Sequence, residues 1–228
     1  MRSRHDLQDD LNAFRAAWEA RVGEATAELI AADIEALRAT GLVARAAKAG
    51  DALPTPPTLL DAHRRPFDLK RLVAERPIIL VFYRGGWCPY CNLELRAYQA
   101  ALAEIQAAGA ELVAVSLETP DHSLSTAEKN DLAFTVLSDA GGALAKALGI
   151  SFTLSNQARP YYEKAGLILP EKNGDDSWSL PTPSVFVVAR GGAIAAAFIE
   201  PDYRKRTAPT EALAALKAVA PTLGPTHW

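Results

Sequence analysis

Sulfur and histidine are scarce in this sequence: two cysteines, one methionine and four histidines among 228 residues. The histidines, His5, His63, His122 and His227, are widely dispersed and form no H-x3-H pair. A structural zinc site asks for four ligands, so a metal is the weaker reading unless a site is shared across a dimer, and no cofactor is expected. Charge is also nearly balanced, at a net −3. That balance offers no electrostatic reason for nucleic acid or an anionic membrane as partner. No apolar run approaches the roughly 20 residues that span a bilayer. The opening segment MRSRHDLQDDLNAFRAAW mixes acidic, basic and apolar residues, unlike a secretory signal, and a cytosolic location is the resulting expectation. The length suits one well-buried domain with additions.

Hydrophobic periodicity then supplies an outline. Residues 5 to about 49 read as helical, with Leu7, Leu11, Phe14 and Trp18, then Leu29, Ile30, Ile34 and Leu37, at helical spacing and breaks at Gly23 and Gly41. These helices bury their apolar stripes either on the main domain or in a dimer contact. The Pro-rich segment LPTPPTLLDAHRRPFDL reads as the entry linker, so residues 1–51 form an N-terminal helical extension and 52–228 the main domain. Pro77 to Tyr83 and Glu111 to Leu117 are short apolar, β-branched runs, as in strands buried on both faces. Between them a long helix runs to Gly109. A further helix is expected around Ser125 to Asn130, with Ser125 and Glu128 spaced as a capping box. Phe134 to Leu137 is a short strand and Ala143 to Leu148 a short helix, with Asp139 capping the turn between them. Residues 151–182 have weak periodicity and are too long for a simple connection, which marks them as a functional or interface insertion. Val185 to Ala189 and Ala193 to Ile199 form a hairpin about Arg190-Gly191-Gly192, and a closing helix spans Pro209 to Val219 before a Pro-rich tail. The order predicts an α/β domain whose central strands are parallel and whose last two are antiparallel.

Both cysteines lie in one C-x-x-C unit, Cys88-Pro89-Tyr90-Cys91, at a strand-to-helix junction. Free N–H groups and the helix dipole at such a junction favour a thiolate, and a cysteine there can ionise anywhere from about pH 3.5 to 7.5. Pro89 suits the first turn, because its missing N–H would have had no intrahelical partner. Gly85 and Gly86 allow close approach, and Trp87 can shield the sulfurs. Arg84 is the nearby cation, read either as a thiolate partner or as a solvated surface residue. Thr182-Pro183 precedes the buried run SVFVV, at the strand entry where proline is tolerated. His122 reads as a solvated loop residue, and Tyr83 and Trp178 as core or cover.

The segment F-Y-R-G-G-W-C-P-Y-C, Phe82 to Cys91, resembles the active-site segment of peroxiredoxin-like proteins of the alkyl hydroperoxide reductase and thiol-specific antioxidant family. Val136-Leu137-Ser138-Asp139 is similar to that family's LLSD element, and Val185 to Gly192 to its F-x-I-D-x-x-G hairpin with Ala189 for Asp. The resemblance spans roughly residues 52 to 200. It implies a thioredoxin-like fold of peroxiredoxin type: a central mixed sheet flanked by helices, here with the N-terminal extension. It also implies a cis-proline at Pro183 facing the cysteines. Aligned on P-x-x-x-T/S-x-x-C, Cys91 falls on the peroxidatic position, Cys88 replaces the threonine and Arg84 the proline. The family's distant arginine falls near Pro183, so its work is expected to be missing.

The implied activity is a thiol peroxidase cycling Cys88 and Cys91 between dithiol and disulfide, with a hydroperoxide as substrate and a thioredoxin-like or glutathione-type thiol as reductant. Arg84, Trp87, Pro89, Thr182 and Pro183 support the site, and a homodimer is a possible assembly. Helix position makes Cys88 the more acidic thiol, whereas the family pattern makes Cys91 the attacking one, and both orders stay open. A dithiol–disulfide oxidoreductase is the alternative, and a redox-inert module the third reading.

Overall fold

The computed structural model describes residues 4–56 and 59–219. The C-terminal tail with His227, and two residues of the Pro-rich linker, lie outside the described residues.

The chain opens with helices α1 (Arg4–Val22), α2 (Glu24–Ala39) and the short α3 (Leu42–Arg45), broken at Gly23 and Gly41 as expected. The main domain then alternates β1 (Leu60–Asp61), α4 (Leu69–Glu75), β2 (Ile78–Phe82), α5 (Pro89–Ala107), β3 (Glu111–Ser116), α6 (Pro120–Lys129), β4 (Thr135–Ser138) and α7 (Ala143–Ala147). The segment with weak periodicity contains β5 (Ser151–Thr153), α8 (Arg159–Lys164), α9 (Leu169–Asn173) and β6 (Ser179–Pro181), and β7 (Ser184–Val188), β8 (Ile194–Ile199) and α10 (Pro209–Val219) close the chain. Among the described residues no helix is long and apolar enough to cross a membrane.

Strands order as β1-β4-β3-β2-β7-β8 in a six-stranded sheet. β2 runs parallel to β3 and β3 to β4, whereas β7 is antiparallel to β2 and to β8. This mixed sheet flanked by helices is the thioredoxin-like architecture. Every residue of β2 is buried, and its side chains alternate between two cores. Ile78, Leu80 and Phe82 pack with Leu69, Val73, Leu148 and Phe186 on one face. Ile79 and Val81 pack with Tyr98 and Ile105 of α5 and Leu213 and Leu216 of α10 on the other. Burial on both faces explains why the strand lacks a polar alternation.

Two sequence expectations need correction. The helix expected near Ser125 begins at Pro120, with Thr119 at the N-cap and Pro120 in the first turn. Ser125 is therefore inside α6, and its hydroxyl donates back to the Asp121 carbonyl at 2.9 Å instead of capping. A proline at the first helical position starts the helix earlier than the Ser-x-x-Glu spacing suggested. The Thr182-Pro183 bond is trans, as are all described peptide bonds. Here the chain runs almost directly from β6 into β7, and an extended path needs no reversal. The Asp139 expectation holds: its two carboxylate oxygens accept from Leu144 N–H at 3.0 Å and Ala145 N–H at 2.9 Å.

The N-terminal helices and residues 151–182 pack on each other. Trp18, Ile30 and Ile34 share one buried cluster with Leu154, Ala158, Tyr162, Leu169 and Leu180. Trp18 also donates from its indole N–H to the Tyr161 hydroxyl at 3.0 Å. Leu7 and Leu11 of α1 are buried in a third cluster with Tyr83, Cys88, Tyr90, Cys91 and Leu95. The core therefore runs across the chain division at residue 51. Leu11→Ala should cost about 2–5 kcal/mol of global stability through a cavity against α5. Urea denaturation should show one transition shifted to lower midpoint; an unshifted transition would mean α1 adds nothing to the cooperative fold.

Candidate active site at the cysteine pair

Strand β2 carries the chain to the sheet's end, and the loop Tyr83 to Trp87 turns it into α5. Cys88 is the N-cap of α5, Pro89 opens the first turn, and Cys91 lies in that turn. Both are free thiols, with relative exposures of only 1% and 0%. The loop can pass this close only as glycine. At Gly85, with φ of +154°, a Cβ would meet the Trp87 ring at 2.2 Å and the Glu118 carboxyl carbon at 2.9 Å. At Gly86 a Cβ would strike the Thr126 hydroxyl at 2.0 Å. Asn92 donates to the Gly86 carbonyl at 2.9 Å, and Asn130 donates to the Asn92 side-chain oxygen at 2.9 Å, fixing the loop to α5 and α6.

The sequence expectation left Arg84 between thiolate partner and surface residue. It is buried, at 3% exposure. Its guanidinium lies 4.0 Å from the Tyr203 ring centroid and 5.2 Å from that of Trp87, and it donates to the Tyr162 hydroxyl. Such aromatic faces attract a cation but cannot neutralise it. Its backbone N–H points at Cys91 Sγ, 3.4 Å away.

A second cation, absent from the sequence reading, completes the site. Arg206, just beyond β8, donates from Nη2 to Cys91 Sγ at 3.3 Å. The expectation that a distant arginine's work would be missing is thus corrected: Pro183 has no charge, but Arg206 places a guanidinium on the sulfur. Arg206 also donates from Nε to Glu94 at 2.7 Å, with both side chains buried, and to the Tyr203 and Lys205 carbonyls. Burial pushes Glu94 up to about 8 and so toward a neutral carboxyl, against the pull of Arg206, which favours the carboxylate. Arg206 is in turn raised by Glu94, despite its own burial. The short, fully buried contact and a guanidinium that cannot shed its proton favour the charged pair. The sequence signal was faint: a basic run, Arg204-Lys205-Arg206, in an otherwise ordinary loop.

The two thiols are pushed apart. Burial raises Cys88, but the hydrogen bond from Cys91 and the charges of Arg84 and Arg206 outweigh it and bring it down to about 6. Burial drives Cys91 well above its ordinary value, and the hydrogen bond to Cys88 and the Cys88 charge add to that rise. The pair therefore favours a single negative charge, with Cys88 the more acidic thiol. The site can present one thiolate beside one protonated thiol.

Trp87 packs edge-on against Tyr162 of α8 at 5.8 Å, so residues 151–182 cover the site from one side and α1 from another. Pro183 lines a small cleft with Glu94 and Arg206, on the cation's side of the site. Thr182 is buried, donates its N–H to the Ile150 carbonyl at 2.8 Å and has a side-chain hydroxyl without a partner. His122 belongs to the first turn of α6, where burial and Lys172 lower it. Tyr83 is core, and Trp178 lies under Arg159 at 5.4 Å, as cover. Among the described residues no three His, Cys, Asp or Glu side chains gather where a metal could be held.

Removing the guanidinium from Cys91 in Arg206→Met should move the Cys88 ionisation upward from about 6, because a cation that favours the thiolate is lost. It should also destabilise the fold by about 3–5 kcal/mol, since Glu94 is left buried without its partner. Ultraviolet thiolate absorbance against pH, with denaturation in parallel, measures both; an unchanged titration would show that Arg206 does not govern the dithiol.

Residues 49–197 match the family profile described as "AhpC/TSA family". A chloroplastic peroxiredoxin Q of Sedum lineare is 28% identical over 156 residues, covering 63% of this chain and 82% of that protein. That of Populus jackii is 28% identical over 135 residues, covering 54% and 63%. These relatives are chloroplastic proteins, which overturns the expectation of a cytosolic location. Among solved structures, peroxidoxin BcpB of Mycobacterium tuberculosis superposes with a TM-score of 0.58 at 22% identity, covering 75% of this chain and 97% of that one. Peroxiredoxin Q of Xanthomonas campestris gives 0.56 at 23% identity, covering 74% and 97%. At such identities the structures bear on the fold alone. With its thioredoxin-like sheet, its dithiol at a helix start and a family match over most of the main domain, the chain belongs to the AhpC/TSA family and has peroxiredoxin-like thiol redox chemistry.

Proposed function

We propose that the protein is a thiol peroxidase that reduces hydrogen peroxide or an organic hydroperoxide through Cys88 and Cys91. The observation that carries this reading is the burial of both sulfurs, at 1% and 0% exposure, beneath α1 and α8. A small oxidant fits such a place better than a protein disulfide does, which disfavours the dithiol–disulfide oxidoreductase alternative.

Cys88 holds the negative charge, so it is the sulfur that attacks. Its thiolate displaces the terminal peroxide oxygen: an S–O bond forms, the O–O bond breaks, and the alkoxide takes a proton to leave as alcohol or water. The sulfenic acid on Cys88 then condenses with Cys91, giving the Cys88–Cys91 disulfide and water. The Arg206 guanidinium and the Arg84 backbone N–H, which donate to the adjacent Cys91 sulfur, stabilise charge developing on the peroxide oxygens, supplying donors where the usual threonine is absent. This order favours the helix-position argument over the alignment that put Cys91 first. A thioredoxin-like or glutathione-type thiol returns the disulfide to the dithiol by exchange, once part of the cover moves aside.

Peroxide consumption by wild type, Cys88→Ser and Cys91→Ser tests this. Cys88→Ser should lose rapid consumption, whereas Cys91→Ser should complete one turnover and accumulate a trappable sulfenate at Cys88. The wild-type rate of attack should rise with pH through about 6, because thiolate replaces thiol there, and fall away below it. Wild type that leaves peroxide untouched but reduces insulin or a glutathione mixed disulfide would instead establish the oxidoreductase. A sulfenate found only at Cys91 would reverse the order of attack.

A further inference from the structure

A disulfide closed beneath the cover calls for a small reductant, and one cavity beside the cysteine loop carries the charges to hold one. It has a volume of about 160 Å³ and is lined by Gly86 and Trp87 of the loop, Glu118, His122 and Lys129 of α6, and Lys172 of α9. Topology builds it. β2 and β3 run parallel, so the loop after β2 and Glu118 after β3 leave the sheet at the same edge. The Thr119 N–H donates to the Lys172 carbonyl at 3.0 Å, which ties α9 to the start of α6. The loop that lines the cavity leads straight into the dithiol. Consecutive Cα atoms are about 3.8 Å apart, so that of Cys88 lies within about 7.6 Å of that of Gly86. Trp87 also packs against the cluster that contains both sulfurs, which makes it the wall between them and the cavity.

The charges around this cavity have no partners in the protein. Glu118 is buried; its Oε2 accepts the Gly86 N–H at 2.8 Å, and its Oε1 has no hydrogen-bond partner among the described residues. Among the described residues no cation forms an ion pair with Glu118. Nor does any carboxylate form one with Lys129, which is exposed, or with Lys172, which is half-buried. A simple anion would enter against the Glu118 carboxylate, and a simple cation against two lysines. A zwitterion satisfies both signs at once. Pockets for drug-sized molecules hold roughly 300–1,000 Å³, so this smaller one takes a head group and not a protein surface.

We propose that this cavity binds the amino-acid head group of a small glutathione-type thiol, the reductant of the Cys88–Cys91 disulfide. The proposal rests on the cycle above and selects between its two reductant classes. The head-group ammonium lies on Glu118 and the carboxylate on Lys129 and Lys172, with the thiol toward Trp87 and Cys88. Its thiolate attacks the Cys88 sulfur; a mixed S–S bond forms and the Cys88–Cys91 bond breaks. Cys91 leaves beside Arg206, whose guanidinium stands 3.3 Å from its sulfur in the dithiol, and takes the proton that the reductant lost. A second thiol attacks the reductant's sulfur in the mixed disulfide and releases the Cys88 thiolate. Two small thiols become one disulfide, and the protein disulfide becomes the dithiol.

Calorimetric titration of reduced protein with S-methylglutathione, which carries the head group but no thiol, measures the site directly. Wild type should bind saturably, and Lys129→Gln and Lys172→Gln should each weaken binding by about ten-fold, the loss of one charged hydrogen bond. In a second arm, protein oxidised with diamide is reduced by glutathione or by 2-mercaptoethanol, which lacks the head group, at matched thiolate concentration. Glutathione should be faster, should saturate and should be slowed by S-methylglutathione, and each lysine substitution should cut its advantage. No binding, equal binding by both lysine variants, or a glutathione rate no greater than that of 2-mercaptoethanol would overturn the proposal. Neither arm uses peroxide, so the peroxidase reading can fail in its own assay while this site stands, and the reverse. A protein in which diamide forms no disulfide would remove the cycle and this proposal with it.

Discussion

Buried positive charge is the constraint around which this site is organised. Arg84 and Arg206 keep their protons under any condition in which the fold survives, and both lie beneath the surface beside two sulfurs. Arg206 is answered by Glu94. Arg84 meets aromatic faces and a tyrosine hydroxyl, but no carboxylate among the described residues, so its charge is only partly answered by them. A thiolate on the neighbouring cysteine supplies what is missing. The same cations that burden the fold when isolated stabilise the reactive form of the dithiol, and the excluded water leaves their fields unscreened.

That exclusion comes from two parts of the chain with little meaning in isolation. Helix α1 brings Leu7, Leu11 and Phe14 over the cysteine cluster, with Phe14 edge-on to Tyr90 at 5.1 Å. Residues 151–182 bring Tyr162 onto Arg84 and Trp87. Each packs against the other through Trp18 and Tyr161, so the cover is one assembly. On the proposed peroxidase cycle its physical consequence is selectivity by size at the oxidation step. A disulfide formed beneath it is beyond the reach of a protein thiol until the cover is displaced.

Proton placement follows the same logic. Cys88 and Cys91 share a hydrogen bond and one negative charge, and low dielectric surroundings amplify the difference between them. Glu94 is neutralised by a guanidinium that also reaches Cys91, and Glu118 is joined to a backbone amide of the glycine loop. Gly85 and Gly86 are what let that carboxyl approach, since any side chain there would occupy its space.

What could be read from the residues alone was local. Burial on both faces marks Ile78 to Phe82, because apolar continuity over a short β-branched run has few other solutions. The cysteines at a strand-to-helix junction announce their own acidity, since the helix N-terminus is a property of the backbone next to them. The start of α6 was misplaced because Pro120 outranked a capping pattern of equal length scale. Arg206, Tyr162 and Glu118 escaped, being separated from the dithiol by long stretches of chain and carrying no pattern in their own neighbourhoods. Sequence by itself determined the reactive element; tertiary packing alone decided its electrostatics, because charge and burial act through distance in space and not along the chain.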